Sequence, residues 1–252
     1  MLLAAIVLQA SAASFSPPLD RALLVVTERH DDLRFYRMER RIRFGREGDG
    51  YRADVVLSEA EGETSDSSGA LFEAGYAALA GTPLVFHLDK AGKVTAIDDL
   101  PALWERFCHR VAEVAAARRP LAPAERSKFA ERVAAPLRAL PADRRRAMLA
   151  SLVLAVIPDE PPVQGTTPVR LPGSSAYGST RPLEGMRSVT VQPDGMLLSR
   201  TTASAEGVTL ERVTEIDPRT GLIVTNGKKV QVRAGGLERL SITTLVVEFA
   251  PN

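Results

Sequence analysis

Position 40 holds an arginine where strand geometry calls for an apolar residue. Residues 33–44 alternate, with Tyr36, Met38, Ile42 and Phe44 on one face and Arg37, Glu39, Arg41 and Arg43 on the other. Alternation places Arg40 on the apolar face. A buried guanidinium needs a carboxylate or phosphate partner. Arg40 therefore reads as an anchor for an anionic headgroup at the mouth of an apolar cavity. The plainer alternatives are a bulge, a side chain that snorkels to water, or a structural pair with an acid. Arg37, Arg41 and Arg43 read as a solvated strand face. Trp104, with Phe107 one helical turn on, is either core or the wall of such a cavity. Tyr36, Arg40, Phe44, Trp104 and Phe107 form the candidate ligand-contacting set.

The remaining reactive side chains do not assemble into a motif. His87 and Asp89 share one face of a strand, an i, i+2 pair that can share a proton or begin a metal site. A third ligand and a nucleophile are both missing from it, so a surface histidine beside a turn is the simpler reading. His30-Asp31-Asp32 reads as an acidic turn, with divalent metal the alternative. Cys108 and His109 are adjacent, which on a helix turns them about 100° apart and excludes a Cys–His dyad. The loop Gly173-Ser174-Ser175-Ala176-Tyr177-Gly178-Ser179-Thr180 lacks both the Gly-x-Ser-x-Gly spacing and a Gly-Lys-Ser/Thr ending. Arg144-Arg145-Arg146 follows Asp143 at a helix start and reads as a solvated face, with contact to anionic lipid as its alternative. No catalytic residue, cofactor or metal site is assigned.

The elements that must position these groups come in three blocks. Residues 14–97 are mainly β, with strands at Leu23–Thr27, 33–44, Tyr51–Leu57, Leu84–Leu88 and Val94–Ile97. Leu71–Leu79 suits a short helix. Residues 98–157 are helical. Asp98-Asp99-Leu100-Pro101 opens a first helix, Pro120 and Pro123 separate it from a second, and Pro141 opens a third. That third helix ends in the run Met148–Ile157, which reads as buried nearly all round. Residues 158–180 form a Pro/Gly/Ser-rich connector. Residues 181–252 are a second β block, with turn signals at Pro193-Asp194-Gly195, Glu206-Gly207, Asp217–Gly221, Asn226-Gly227 and Gly235-Gly236. Spacing this tight requires antiparallel neighbours. The expected fold is one α+β domain over 14–252: a large curved antiparallel sheet from both β blocks, with about three inserted helices covering one face. Two domains split near residue 160 is the alternative.

Composition narrows the function classes. The chain has 252 residues and a net charge of +1, against a dedicated nucleic-acid binder. A single cysteine excludes an intrachain disulfide and a CxxC metal site. The near-neutral sum hides opposed blocks: +5 over 33–46, −6 over 47–97 and +4 over 98–157. Residues 1–13, apolar and ending Ala10-Ser11-Ala12-Ala13, match a signal peptide cut after Ala12 or Ala13. The run lacks a preceding Lys or Arg, which a start codon further upstream would supply. It is too short to span a bilayer, and no cysteine follows it for lipid attachment. The expected location is periplasmic or secreted.

Leu88-Asp89-Lys90-Ala91-Gly92-Lys93-Val94 leading into a helix, and Glu215-Ile216-Asp217-Pro218-Arg219-Thr220-Gly221-Leu222, resemble stretches of a group of uncharacterised secreted bacterial β-rich proteins. More distantly, the sheet-plus-helical-lid layout is similar to the LolA-like periplasmic lipoprotein-carrier superfamily. That resemblance implies a half-barrel holding acyl chains under helices. Export, layout and the missing catalytic motifs lead to one expectation: a non-enzymatic periplasmic module binding a lipid or other amphiphile between sheet and helices. A structural or interaction protein of the cell envelope, meeting a protein partner through a sheet edge or the connector, is the second reading. A hydrolase or metal enzyme using His87, His109 or the 173–180 loop is the third.

Overall fold

The computed structural model describes residues 14–31, 34–58, 61–62, 68–172, 182–234 and 236–251. The signal-peptide positions Ala12 and Ala13 and the loop 173–180 lie outside these. Twelve strands and four helices follow in the order β1 (Leu23–Asp31), β2 (Arg34–Glu47), β3 (Gly50–Leu57), β4 (Glu61–Gly62), α1 (Ser68–Ala77), β5 (Pro83–Leu88), β6 (Val94–Ile97), α2 (Leu100–Ala117), α3 (Pro123–Arg138), α4 (Ala142–Leu154), β7 (Gly165–Leu171), β8 (Leu183–Val191), β9 (Leu197–Ala205), β10 (Val208–Asp217), β11 (Leu222–Ala234) and β12 (Leu237–Phe249). They form an α+β fold on one open antiparallel sheet.

Strand order is β6-β5-β3-β2-β1-β12-β11-β10-β9-β8-β7, with the two-residue β4 pairing to β2. The last strand lies beside the first, in register from Leu23↔Phe249 to Asp31↔Ser241, so the two β blocks become one sheet. Period-2 alternation gives that sheet its inner face. Val25, Met38, Arg40, Ile42, Phe44, Ala53, Val55, Leu84 and Phe86 are all buried on it. The helices cover this face. α2 turns Leu103, Trp104, Phe107, Cys108 and Val111 inward. α4 contributes Leu149, Ala150, Leu152 and Val153. α3 is tied to α2 by Arg138, which donates to Glu105 at 2.9 Å and to Glu131 at 2.8 Å.

α1 falls on the short helix expected at Leu71–Leu79, so with the three inserted helices the described residues hold four. Three details depart from the sequence reading. The connector contains an edge strand, β7, whose residues are mostly exposed and so show little alternation. Asn226-Gly227 is no turn; it lies inside β11, paired on both sides to β10 and β12. Thr214 Oγ1 lies 2.9 Å from Asn226 Oδ1 on the inner face, so the side chain is satisfied within a strand. The run Met148–Ile157 is interrupted by exposed Ser151, which receives company from the Tyr76 hydroxyl at 3.2 Å, so one side of α4 remains polar.

The sheet curls. Five strand steps separate β5 from β11, about 24 Å along a flat sheet at ~4.8 Å per step. Yet Phe15 spans that gap. Its ring stands edge-on to Phe44 and Tyr51, at 5.8 and 5.1 Å between centroids. It also lies where a Cβ on Gly92, in the β5–β6 turn, would meet it at 3.0 Å. One residue on, Ser16 N–H donates to Thr220 O in the β10–β11 turn at 2.8 Å. Gly221 there has φ +68° and faces the Ser14 carbonyl, where a Cβ would clash at 2.7 Å. Phe15→Ala should cost about 1–3 kcal/mol in urea unfolding and expose residues 14–18 to proteolysis before the rest of the chain.

Candidate functional site

The five candidate ligand-contacting residues are packed in the core. Tyr36, Arg40, Phe44, Trp104 and Phe107 all belong to the main buried cluster or lie within it. Trp104 stacks on Phe107 at 5.0 Å and donates its indole N–H to Leu137 O at 3.0 Å. Arg40 is on the inner face, as alternation requires, and only 1% exposed. It is neither in a bulge nor snorkelling. Among the described residues its hydrogen bond goes to Thr27 Oγ1, at 3.1 Å, and its Nε has no partner. Burial pulls its pKa down to about 10.

The histidines go to separate places. His87 faces outward and does not pair with Asp89. Both its ring nitrogens meet carboxylates, Nδ1 that of Glu47 and Nε2 that of Asp98 at 2.8 Å. Those bonds, Asp98 first and Glu47 next, raise its pKa above the usual histidine value. An imidazolium donating through both nitrogens has no lone pair left for a metal or a substrate proton. The raised folded value means that its stabilisation is full below the unfolded pKa and is lost as pH rises through the folded one. His87→Gln should therefore lower stability by no more than ~1 kcal/mol near pH 6 and by less near pH 9, read by urea midpoints at the two pH values.

His109 is exposed on α2, 3.6 Å from Glu113. Asp89 accepts from the N–H groups of Ala91 and Lys93 and closes the β5–β6 turn. His30 sits on β1 against the Phe35 ring, and Asp31, the last residue of that strand, accepts from Arg29, while Asp32 lies outside the described residues. Cys108 is buried, and burial pushes its thiol up to about 11. Among the described residues no group of three or more His, Cys, Asp or Glu is placed to hold a metal. The Arg144–Arg146 cluster is only partly a solvated face. Arg145 donates to Leu140 O and Arg138 O, capping the open carbonyls at the end of α3, and Arg146 reaches Asp143 and Thr95 O.

A groove of about 320 Å³ lies between the connector after α4 and the inner face of β7–β11. That volume is at the lower end of the range for small-molecule sites. Leu154, Ile157, Pro161, Pro162, Val163, Val189, Ile216 and Ile223 give it an apolar side. Arg187, Arg212, Thr167, Ser199, Thr201, Thr214 and Asn226 give it a polar floor, and Asp159 and Glu160 hang from the connector.

The floor follows from register. Eight strands place Tyr36, Arg29, Thr243, Lys228, Arg212, Thr201, Arg187 and Thr167 in one cross-strand row on the inner face. On one side of this row lies the main core, reached at Val189, Ile216, Ile223 and Leu245. On the other lies a second small core of Leu183, Ala203, Val208, Leu210 and Val230. A cationic stripe thus runs between two apolar ones. Sequence reasoning passed over Arg187 and Arg212, although both fall on the inward phase of strands whose other inward residues are mostly apolar or small.

No protein-family model, curated protein or solved structure matches this chain. Among the described residues no helix is long and apolar enough to cross a membrane.

Proposed function

We propose that the protein is an exported, non-enzymatic binding module of the periplasm that holds a lipid or other amphiphile in the groove between its sheet and the connector that follows its helices. The observation that carries this reading is the groove itself. It sets apolar side chains of α4, the connector and the sheet beside the polar side chains of its floor, the mixture of surfaces an amphiphile requires. The sheet-plus-lid layout and the apolar run at residues 1–13 are the other two features that support this reading. Envelope attachment through a sheet edge is the weaker reading. The β7 edge carries Pro168, which breaks a template for strand addition, and Arg146 covers Thr95 O on the short opposite edge strand.

The test is to express the full chain with its own leader, fractionate the cells, and extract the purified protein for mass spectrometry. The expected result is periplasmic protein carrying a stoichiometric amphiphile. Protein that is free of amphiphile, and that takes up none from short-chain lipid in solution, would overturn the reading.

A further inference from the structure

We infer that Arg187 and Arg212 seat an anionic headgroup of the amphiphile, and that Asp159 and Glu160 compete with that headgroup for the same two guanidinium groups. This rests on the binding reading above and names its ligand class and its control.

Arg212 lies directly opposite Lys228, and Arg187 stands two strands away in the same row, so the groove floor carries a run of positive charge. The acids that offset Arg187 and Arg212 in the groove come from the strap that roofs it. Glu160 meets Arg187 at 3.2 Å and Asp159 meets Arg212 at 3.6 Å. Their side chains are 74% and 84% exposed, so each pair is a weak surface contact. Arg212 also keeps a buried Nε–H without a hydrogen-bond partner.

A phosphate or carboxylate group can take a guanidinium by two parallel N–H···O bonds, which a 3.6 Å single contact does not match. Pro158, Pro161 and Pro162 stiffen the strap around the two acids. The apolar wall, chiefly Leu154, Ile157 and Val163, lies beside the same seat. That commits the occupant to an amphiphile and not to a free anion.

Calorimetric titration of the full chain with dihexanoyl phosphatidylglycerol, dihexanoyl phosphatidylcholine and inorganic phosphate tests this. The anionic lipid should bind about tenfold or more tightly than the zwitterionic one, and phosphate more weakly than either. Arg187→Gln with Arg212→Gln should erase the preference between lipids. Asp159→Asn with Glu160→Gln should tighten phosphatidylglycerol binding about three- to tenfold and leave phosphatidylcholine unchanged. Equal affinity for the two lipids would overturn the anionic seat while leaving the amphiphile reading standing. Weaker phosphatidylglycerol binding by the Asn/Gln variant would overturn the competition, and phosphate binding as tightly as lipid would overturn the amphiphile. Failure of both lipids to bind would overturn the underlying reading.

Discussion

Arg40→Met should stabilise the protein by roughly 3 kcal/mol. The guanidinium lies on the inner face between Met38 and Ile42, with Val25 and Leu57 in register beside it on β1 and β3. It carries five N–H donors, of which one reaches Thr27 among the described residues. The nearby oxygens of Tyr36 and Tyr76 attract it only weakly, and burial draws its pKa from the ordinary arginine range down to about 10. At 1.36 kcal/mol per unit, that displacement is the order of cost quoted, and it falls within the gains seen when buried charge is replaced by apolar side chains. Methionine keeps the length and flexibility of the side chain and removes the charge.

The pH dependence follows in sign. Between the folded value near 10 and the higher, ordinary arginine value of the unfolded chain, the unfolded chain binds more protons, so the wild type gains stability as pH rises there. The advantage of Arg40→Met is full below pH 10 and shrinks above it. Urea midpoints of both proteins at pH 7 and pH 11 check both statements. A variant less stable than wild type at pH 7 would mean that the guanidinium is matched by a counter-charge. Arg40 does not line the groove, so lipid affinity should be unchanged.

Arg40 also shows how far local pattern reaches. Its inward position was legible because Tyr36, Met38, Ile42 and Phe44 flank it at a period of two. The same test, applied to Leu183, Arg187 and Val189 or to Val208, Leu210, Arg212 and Thr214, picks out the two groove arginines. What local pattern cannot give is register. That Arg187 and Arg212 flank Thr201 in one row depends on pairings between three strands, and their acids come from a connector with no periodicity at all. β7 was hidden by Pro168 and by exposure on both faces, since a strand that buries little leaves no alternation. Asn226-Gly227 misled for a different reason. A turn dipeptide signals a turn only where ladders stop, and here both neighbouring strands continue past it.

Phe107→Ala should cost about 3–5 kcal/mol, a large part of the 5–15 kcal/mol that holds an ordinary domain folded. The ring is fully buried at the centre of the helical layer. Trp104 stacks on it at 5.0 Å, Tyr76 stands edge-on at 5.4 Å, and Gly75 lies so close that a Cβ would meet the ring at 2.5 Å. Removing it therefore opens one hole touching α1 and α2. Tyr76, whose hydroxyl donates to Met148 O at 3.1 Å, carries the disturbance to α4. Collapse cannot fill that hole cheaply, because the chain just after α4 is fixed to the sheet, where Ile223 N–H donates to Val156 O at 2.9 Å beside the groove. Trp104 is the only tryptophan, so its emission reports the site directly. The expected result is a lower urea midpoint together with red-shifted fluorescence in the folded variant. An unchanged midpoint with loss of lipid binding would instead make Phe107 a wall of the ligand site, and the core around it would then be the cavity that the alternation at residues 33–44 first suggested.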